Sequence, residues 1–366
     1  MGGCKRYLCW LMLVGSVLAI SDGAIARSAE ANEAPLATLP TTVVVSGEQP
    51  GPGLWRVSKD GHQMWVLGTL LPLPKRMQWN AAEVEQRIAD SSAFLRQPSL
   101  NFSVKGGMLR AVFLLPSIMK TRNNPEKQKL KDVLPDELYQ RWLQLKQQYI
   151  GRSGSVEKRR PLVAAQELME KAIRKNDMTL DNFVSERVNK LAKKAKLEQV
   201  RPSIEIRFED PKQALKEFNT TALEDTECFR RMLDRVGGEI EQMKLRANAW
   251  AVGETEILRQ LTITQTYRSC ADALLETKVA ERHGLLNIEQ RLRDEWLTKA
   301  EETLSQHAQS FAVLPMPLVV GEDSYLDRLA ERGYLIEAPG QGEDQVSAAV
   351  SEAEPDTVGN EALVER

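Results

Sequence analysis

Histidine most often supplies a general base or a metal ligand near neutral pH, and the chain has three: His62, His283 and His307. None stands three or four residues from another, so no two share a helix face as the histidines of a His-x-x-x-His zinc site do. His62 falls in a hairpin turn, His283 beside Gly284 and His307 at a polar helix end. Each is read as a solvated surface residue. The acidic doublets Glu224-Asp225, Glu301-Glu302 and Glu322-Asp323 read as solvated helix faces or first-turn charges, not as carboxylates paired for acid–base work. No Gly-x-Ser-x-Gly elbow presents a nucleophilic serine. Gly151-Arg152-Ser153-Gly154-Ser155 lacks the lysine–serine ending of a phosphate cradle and reads as a loop. Lys158-Arg159-Arg160 reads as a helix entry before Pro161, and no basic stripe with interleaved aromatics points to nucleic acid. With no Cys-x-x-Cys, a redox motif and a thiolate zinc site are also disfavoured.

The N-terminus sets the expected compartment. Lys5 and Arg6 precede an apolar run from Leu8 to Ile20, and Ala24-Ile25-Ala26 is a small-x-small cleavage pattern. Residues 1–26 therefore read as a secretory signal peptide. The run falls short of the ~18–20 residues of a spanning helix, so no stable membrane span is expected after cleavage. Cys4 and Cys9 precede or begin the run, whereas an acylated cysteine would follow it. The expectation is a periplasmic or secreted protein of a Gram-negative bacterium. Cys228 and Cys270 remain after cleavage. An oxidising compartment permits a disulfide between them, but two cysteines alone do not establish one, and two small buried apolar residues is the other reading.

The net charge is −2, and the tail 339–366 holds seven acids against a single base, Arg366. That tail has no aromatic residue and is expected to be disordered, because it cannot bury enough apolar surface to offset its ordering entropy. Residues 27–50, rich in Ala, Glu, Pro and Thr, read as a flexible lead-in. The body is 51–338.

The body must provide the scaffold. Leu54-Trp55-Arg56-Val57 and Met64-Trp65-Val66-Leu67 flank Lys59-Asp60-Gly61-His62, and Asp-Gly supplies the positive backbone angles of a tight hairpin. Asn80 reads as the cap of a helix running to about Asp90, and Ser92 to Arg96 as the next strand. From about 109 to 305 apolar residues recur three and four apart, over Pro135–Tyr149, Pro161–Arg174, Asp181–Lys196, Pro211–Val236 and Glu239–Ala251. These stripes read as core packing. Ser203-Ile204-Glu205-Ile206 is a short extended interruption. Ser310 to Leu314 reads as an apolar strand, Gly321-Glu322-Asp323-Ser324 as the start of a helix closed by Arg332-Gly333, and Tyr334 to Glu337 as the last strand. The fold class is α+β with α/β character: a mixed sheet built from N- and C-terminal βαβ segments around a large central helical insertion. A pocket is expected at the carboxyl ends of those strands, near Gly68-Thr69 and Leu314 to Gly321.

The order of these features resembles the TraB/GumN family, related to the Tiki proteins. Gly53-Leu54-Trp55-Arg56-Val57 followed by Val66-Leu67-Gly68-Thr69 is similar to the family's "LW.V" and "LLGTIH". Leu130-Lys131-Asp132-Val133-Leu134 with Tyr139, Ala249-Trp250-Ala251-Val252-Gly253, and Gly321-Glu322-Asp323 through Gly333-Tyr334 resemble its later motifs. The resemblance spans about Gly53 to Glu337. It implies a sheet carrying two Gly-x-x-His motifs, an acid after the second crossover strand and an arginine in a late helix. In the Tiki branch these imply metal-dependent peptide cleavage, in which imidazoles and a carboxylate hold an ion that activates water.

Carried over residue by residue, the ligands are missing. Gly68 and Thr69 persist, but the first histidine position is Leu71. The second motif falls at Leu314 and Pro317, the acid at Arg96 or Gln97, and the late arginine at Arg291 or Arg293. Leucine and proline cannot ligate a metal. The expected cleft is Gly68, Thr69, Leu71, Gln97, Arg293, Pro317 and Gly321, with no catalytic residue, metal ligand or cofactor assigned. Two functions stay open. One is an exported, catalytically degenerate TraB/GumN-like protein that binds a partner protein, a peptide or an envelope component. The other is a hydrolase or peptidase with an altered centre built on Thr69, Arg293 and Glu322 or Asp323.

Overall fold

The computed structural model describes residues 48–220, 225–261 and 278–340. The expected leader, most of the lead-in, the acidic tail beyond 340, Glu224 and Cys270 lie outside the described residues. In chain order the strands are β1 (Glu48–Gln49), β2 (Leu54–Lys59), β3 (His62–Thr69), β4 (Leu73–Pro74), β5 (Gln78–Trp79), β6 (Ala93–Leu95), β7 (Ser99–Val104), β8 (Met178–Thr179), β9 (Glu198–Val200), β10 (Ser203–Phe208), β11 (Gln309–Pro315) and β12 (Leu335–Glu337). The helices are α1 (Ala82–Ala89), α2 (Gly107–Thr121), α3 (Leu130–Val133), α4 (Asp136–Tyr149), α5 (Pro161–Lys175), α6 (Phe183–Lys194) and α7 (Pro211–Thr220). They continue as α8 (Asp225–Val252), α9 (Thr255–Gln260), α10 (Lys278–Arg282), α11 (Ile288–Gln306), α12 (Met316–Val320) and α13 (Tyr325–Glu331). The chain is a mixed helix-and-strand, α+β protein.

The principal sheet has six strands in the order β12-β2-β3-β11-β6-β9. The hairpin β2–β3 turns through Asp60 and Gly61, whose φ angles of 51° and 83° are the pair of positive values a two-residue primed turn needs. β12 closes one edge antiparallel to β2, fastened by two hydrogen bonds of 2.5 Å from the Arg56 guanidinium to the Glu337 carboxylate. β11 enters between β3 and β6, parallel to both. It is nearly all buried, as a short unbroken apolar run in a central parallel strand should be.

Register puts Trp65, Phe311 and Phe94 side by side on one face. The Phe94 and Phe311 rings are 6.4 Å apart. α1 covers this face, with the Arg87 guanidinium 3.8 Å over Trp65. α11 packs on β3, β6 and β11 through buried Trp296, Leu297 and Ala300. In the helical part the buried Glu157 accepts from Trp142 Nε1 at 3.1 Å and meets Lys146 at 2.8 Å. Its charge is therefore balanced inside the core, as burial demands.

Two elements differ from the sequence expectation, and the extended piece at Ser203 is a strand as read, longer by two residues. The insertion is not only helical: β9 completes the far edge of the sheet parallel to β6. Ser203–Phe208 pairs in parallel with Ser99–Val104 as a separate ribbon, over a small cluster of Ile206, Ile288 and Leu292. The helix boundary expected near Gly237-Gly238 does not exist, because α8 runs through both glycines. Each costs roughly 1 kcal/mol against alanine, but Leu233, Val236, Ile240 and Met243 around them are buried and α8 packs on α5, which outweighs that cost. At α1 the capping bond is the expected one, from Ala82 N to Asn80 Oδ1 at 2.9 Å, although Ala81 is the residue at the helix boundary.

Candidate functional site at the strand carboxyl ends

β3, β11, β6 and β9 run parallel, so their carboxyl ends share one rim of the sheet. Gly68 lies on that rim, and what stands against it is hydrocarbon. A Cβ at Gly68 would lie 2.5 Å from Met316 Cε, 2.7 Å from Met316 Sδ and 3.5 Å from the Trp55 ring. Met316 opens α12 directly after β11 and is only 2% exposed. The sequence suggested no helix there. Pro317 at its first turn favours one, since it supplies a fixed φ and lacks only an N–H that no helical carbonyl would take.

The polar groups around Gly68 are already engaged. Its carbonyl accepts from Trp250 Nε1 at 2.8 Å. Thr69, 7% exposed, donates its hydroxyl to the Leu314 carbonyl at 3.2 Å. The Gly321 N–H donates to the Pro317 carbonyl at 3.1 Å, and a Cβ at Gly321 would lie 2.3 Å from that oxygen. Leu71 is 37% exposed, beside a cis bond to Pro72. Gln97 and Pro317 are half-buried.

Arg293 is the late arginine turned into the structure, donating to Asp323 at 2.7 Å, whereas Arg291 is exposed and donates to the Gly284 carbonyl. Asp323 also pairs with Arg328. This corrects the reading of Asp323 as a solvated first-turn acid. It precedes α13 in a left-handed conformation (φ 55°) and is clamped between two guanidiniums. The cap of α13 is Ser324, joined reciprocally to Asp327 at 3.0 and 3.1 Å, a capping box.

The histidines are packed, not solvated. His62 is hydrogen-bonded through Nδ1 to the Leu304 carbonyl. His307 lies between Ser92 Oγ at 3.1 Å and Glu198 at 3.5 Å. His283 meets Glu217 at 3.3 Å, with its ring 5.3 Å from Phe208. His62 and His307 stand at the amino ends of β3 and β11, the opposite end of the sheet from Gly68. Among the described residues no three His, Cys, Asp or Glu side chains come together as a metal site. The positions that the resemblance implies for a metal carry Leu71, Arg96 or Gln97, and Pro317, a donor set that does not fit a divalent ion.

A separate cavity lies away from these residues. A cavity of about 480 Å³ opens where α1 and α6 begin, lined by Met77, Trp79, Ala82, Glu85, Phe183 and Arg187. It includes none of the expected cleft residues. Arg187 bonds Glu85 at 2.7 Å and lies 5.5 Å over Trp79. Trp79 in turn meets Trp250 edge to face at 5.9 Å, so the cavity wall is one indole away from the plugged glycine.

Arg96, seen in the sequence only as a failed acid, is the polar residue of the rim that sequence reasoning undervalued. Its carbonyl accepts from Trp296 Nε1 at 3.1 Å, and its Nη2 donates to Gln199 Oε1 at 3.0 Å. Its Nε is buried without a partner among the described residues. Burial, and then the nearby Arg201 charge, hold the Arg96 guanidinium below its ordinary pKa. The signal was available: both arginines immediately follow apolar strand residues.

These features define a family. The family described as TraB/PrgY/gumN matches residues 53–338, and the chain belongs to it. No curated protein and no solved structure matches the chain.

Proposed function

We propose that the protein is exported to the periplasm or beyond the cell and works by binding a partner, a peptide or an envelope component, not by metal-assisted hydrolysis. The observation that carries the reading is the plug at Gly68. Met316 fills the space beside the Gly-Thr turn, while Leu71, Arg96 or Gln97, and Pro317 occupy the ligand positions that the resemblance implies. The altered-centre alternative gains the contact of Arg293 with Asp323, but Thr69, its hydroxyl member, is turned to the Leu314 carbonyl. Export is supported by the leader-like residues 1–26 and by Cys228, which is buried on α8 and disulfide-bonded; Cys270, its expected partner, lies outside the described residues. Cytosolic reduction disfavours such a bond. Among the described residues no helix is long and apolar enough to cross a membrane.

The test is metal analysis of the purified mature protein together with exposure to a peptide library. A metal-free protein that cleaves nothing is expected. A stoichiometric, tightly held divalent ion, or cleavage abolished by a chelator, overturns the reading.

A further inference from the structure

We infer that the outer part of the sheet's carboxyl rim is an oxyanion site, in which Arg96 and Arg201 together receive a carboxylate or phosphate group of the bound ligand. This rests on reading the rim as a binding surface and adds what that surface recognises.

Leu95 pairs with Val200 in the parallel ladder of β6 and β9, and the next link is Arg96 N–H to the Val200 carbonyl at 3.0 Å. The residues that follow in register, Arg96 and Arg201, therefore leave the sheet side by side. Neighbours across a parallel ladder point to the same face. Their face is that of Phe94 and Gln199, which are paired two residues earlier. Phe94 supports the Arg96 guanidinium at 5.9 Å, and Gln199 fixes one of its nitrogens.

Two like charges held together are unfavourable unless something between them is negative. No carboxylate forms an ion pair with either arginine among the described residues. The same charges elsewhere in the chain are balanced: Arg293 and Arg328 share Asp323, and Arg122 and Arg159 share Glu167. Among the described residues no acidic group balances the pair at β6 and β9, which leaves it open to an external acceptor. Two planar guanidinium forks suit carboxylate and phosphate oxygens. The place agrees with the rule that parallel sheets bind ligands outside their strand carboxyl ends.

The experiment is a calorimetric titration of the full mature chain with inorganic phosphate and, separately, with acetate, at constant ionic strength set by chloride. Saturable one-to-one binding of either is expected, and whichever binds tighter identifies the group. Arg96→Gln should weaken it about tenfold or more, the loss of one charge-assisted contact, while Arg235→Gln, a change at an exposed residue of α8, leaves it unaltered. Arg201→Gln should raise the thermal midpoint in chloride buffer free of phosphate and acetate, by relieving repulsion, and lower it relative to the unmodified chain at saturating phosphate or acetate. No saturable binding of either anion, or equal binding by Arg96→Gln, overturns the inference. If Arg96→Gln does not fold, the crossing of the two Arg201→Gln midpoints decides, and midpoints that do not cross overturn it. Metal content bears on the loss of hydrolysis and anion titration on the arginine pair, so each can fail alone.

Discussion

Gly68→Ala offers the sharpest test of the plug. The added methyl would stand 2.5 and 2.7 Å from the Met316 thioether atoms, where ordinary contact begins near 3.5 Å, so the methionine must retreat by about an ångström. Met316 is 2% exposed and has little free space to enter, but its chain is flexible. Overpacking of this kind costs about 1–3 kcal/mol. Against it stands about 0.5–1 kcal/mol gained by replacing glycine in a strand. A net loss of roughly 0–2.5 kcal/mol follows for the single mutant. Met316→Ala alone should cost about 2–5 kcal/mol as a core truncation. In that background the obstruction is gone, so Gly68→Ala should turn from destabilising to neutral or slightly stabilising. The coupling between the two changes should then be about 1–3 kcal/mol, of the order expected for residues in direct contact. Urea unfolding of all four proteins, compared at equal slopes, measures it. Additive effects would show that Met316 does not occupy the space beside Gly68, and the reading of a filled cradle would fall with it.

Leu71→His alone should not create metal binding, since Gln97 and Pro317 still occupy the partner positions; zinc or manganese affinity in the micromolar range by calorimetry would show that the site is misplaced. Glu170 on α5 has its carboxyl raised above the ordinary value chiefly by burial, opposed by Arg174. The native state then holds that proton at pH values where the unfolded chain has released it, so stability falls as pH rises from the unfolded value, about 4.3, through the raised folded one. Glu170→Gln should remove that slope and leave the protein relatively more stable at neutral pH; parallel denaturation curves for the two proteins across pH 4 to 8 would refute it.

What the sequence makes legible is local. Asp60-Gly61 between two apolar runs specifies a hairpin because few other residues take both positive angles. The stripe Leu168, Met169, Ala172 on α5 specifies a buried helix face because nothing but a core explains its period. β7 and β9 are not legible: Ser99–Val104 is only half-buried, so its alternation carries little contrast, and Glu198–Val200 is three residues of an edge strand whose partner lies about a hundred positions away. The glycine pair in α8 misleads because local propensity is overruled by packing that a window of sequence does not contain. At the rim, the identities of Leu71 and Pro317 are visible as letters. That Met316 fills Gly68, that Asp323 is shared by two arginines, and that Arg96 stands beside Arg201 are products of strand order, which no local pattern encodes.

The position of β11 has a consequence for how the molecule is made. The strand at the middle of the sheet comes from residues 309–315, and its contact from Leu314 to Thr69 spans 245 positions of chain. Until nearly the whole polypeptide has emerged, β3 and β6 have no neighbour between them, and their edges stay open to wrong partners. Vectorial synthesis therefore favours a long unfolded interval, and such distant pairing slows closure further. The sheet cannot close before β11 is present, when β12 alone of its six strands is still to come.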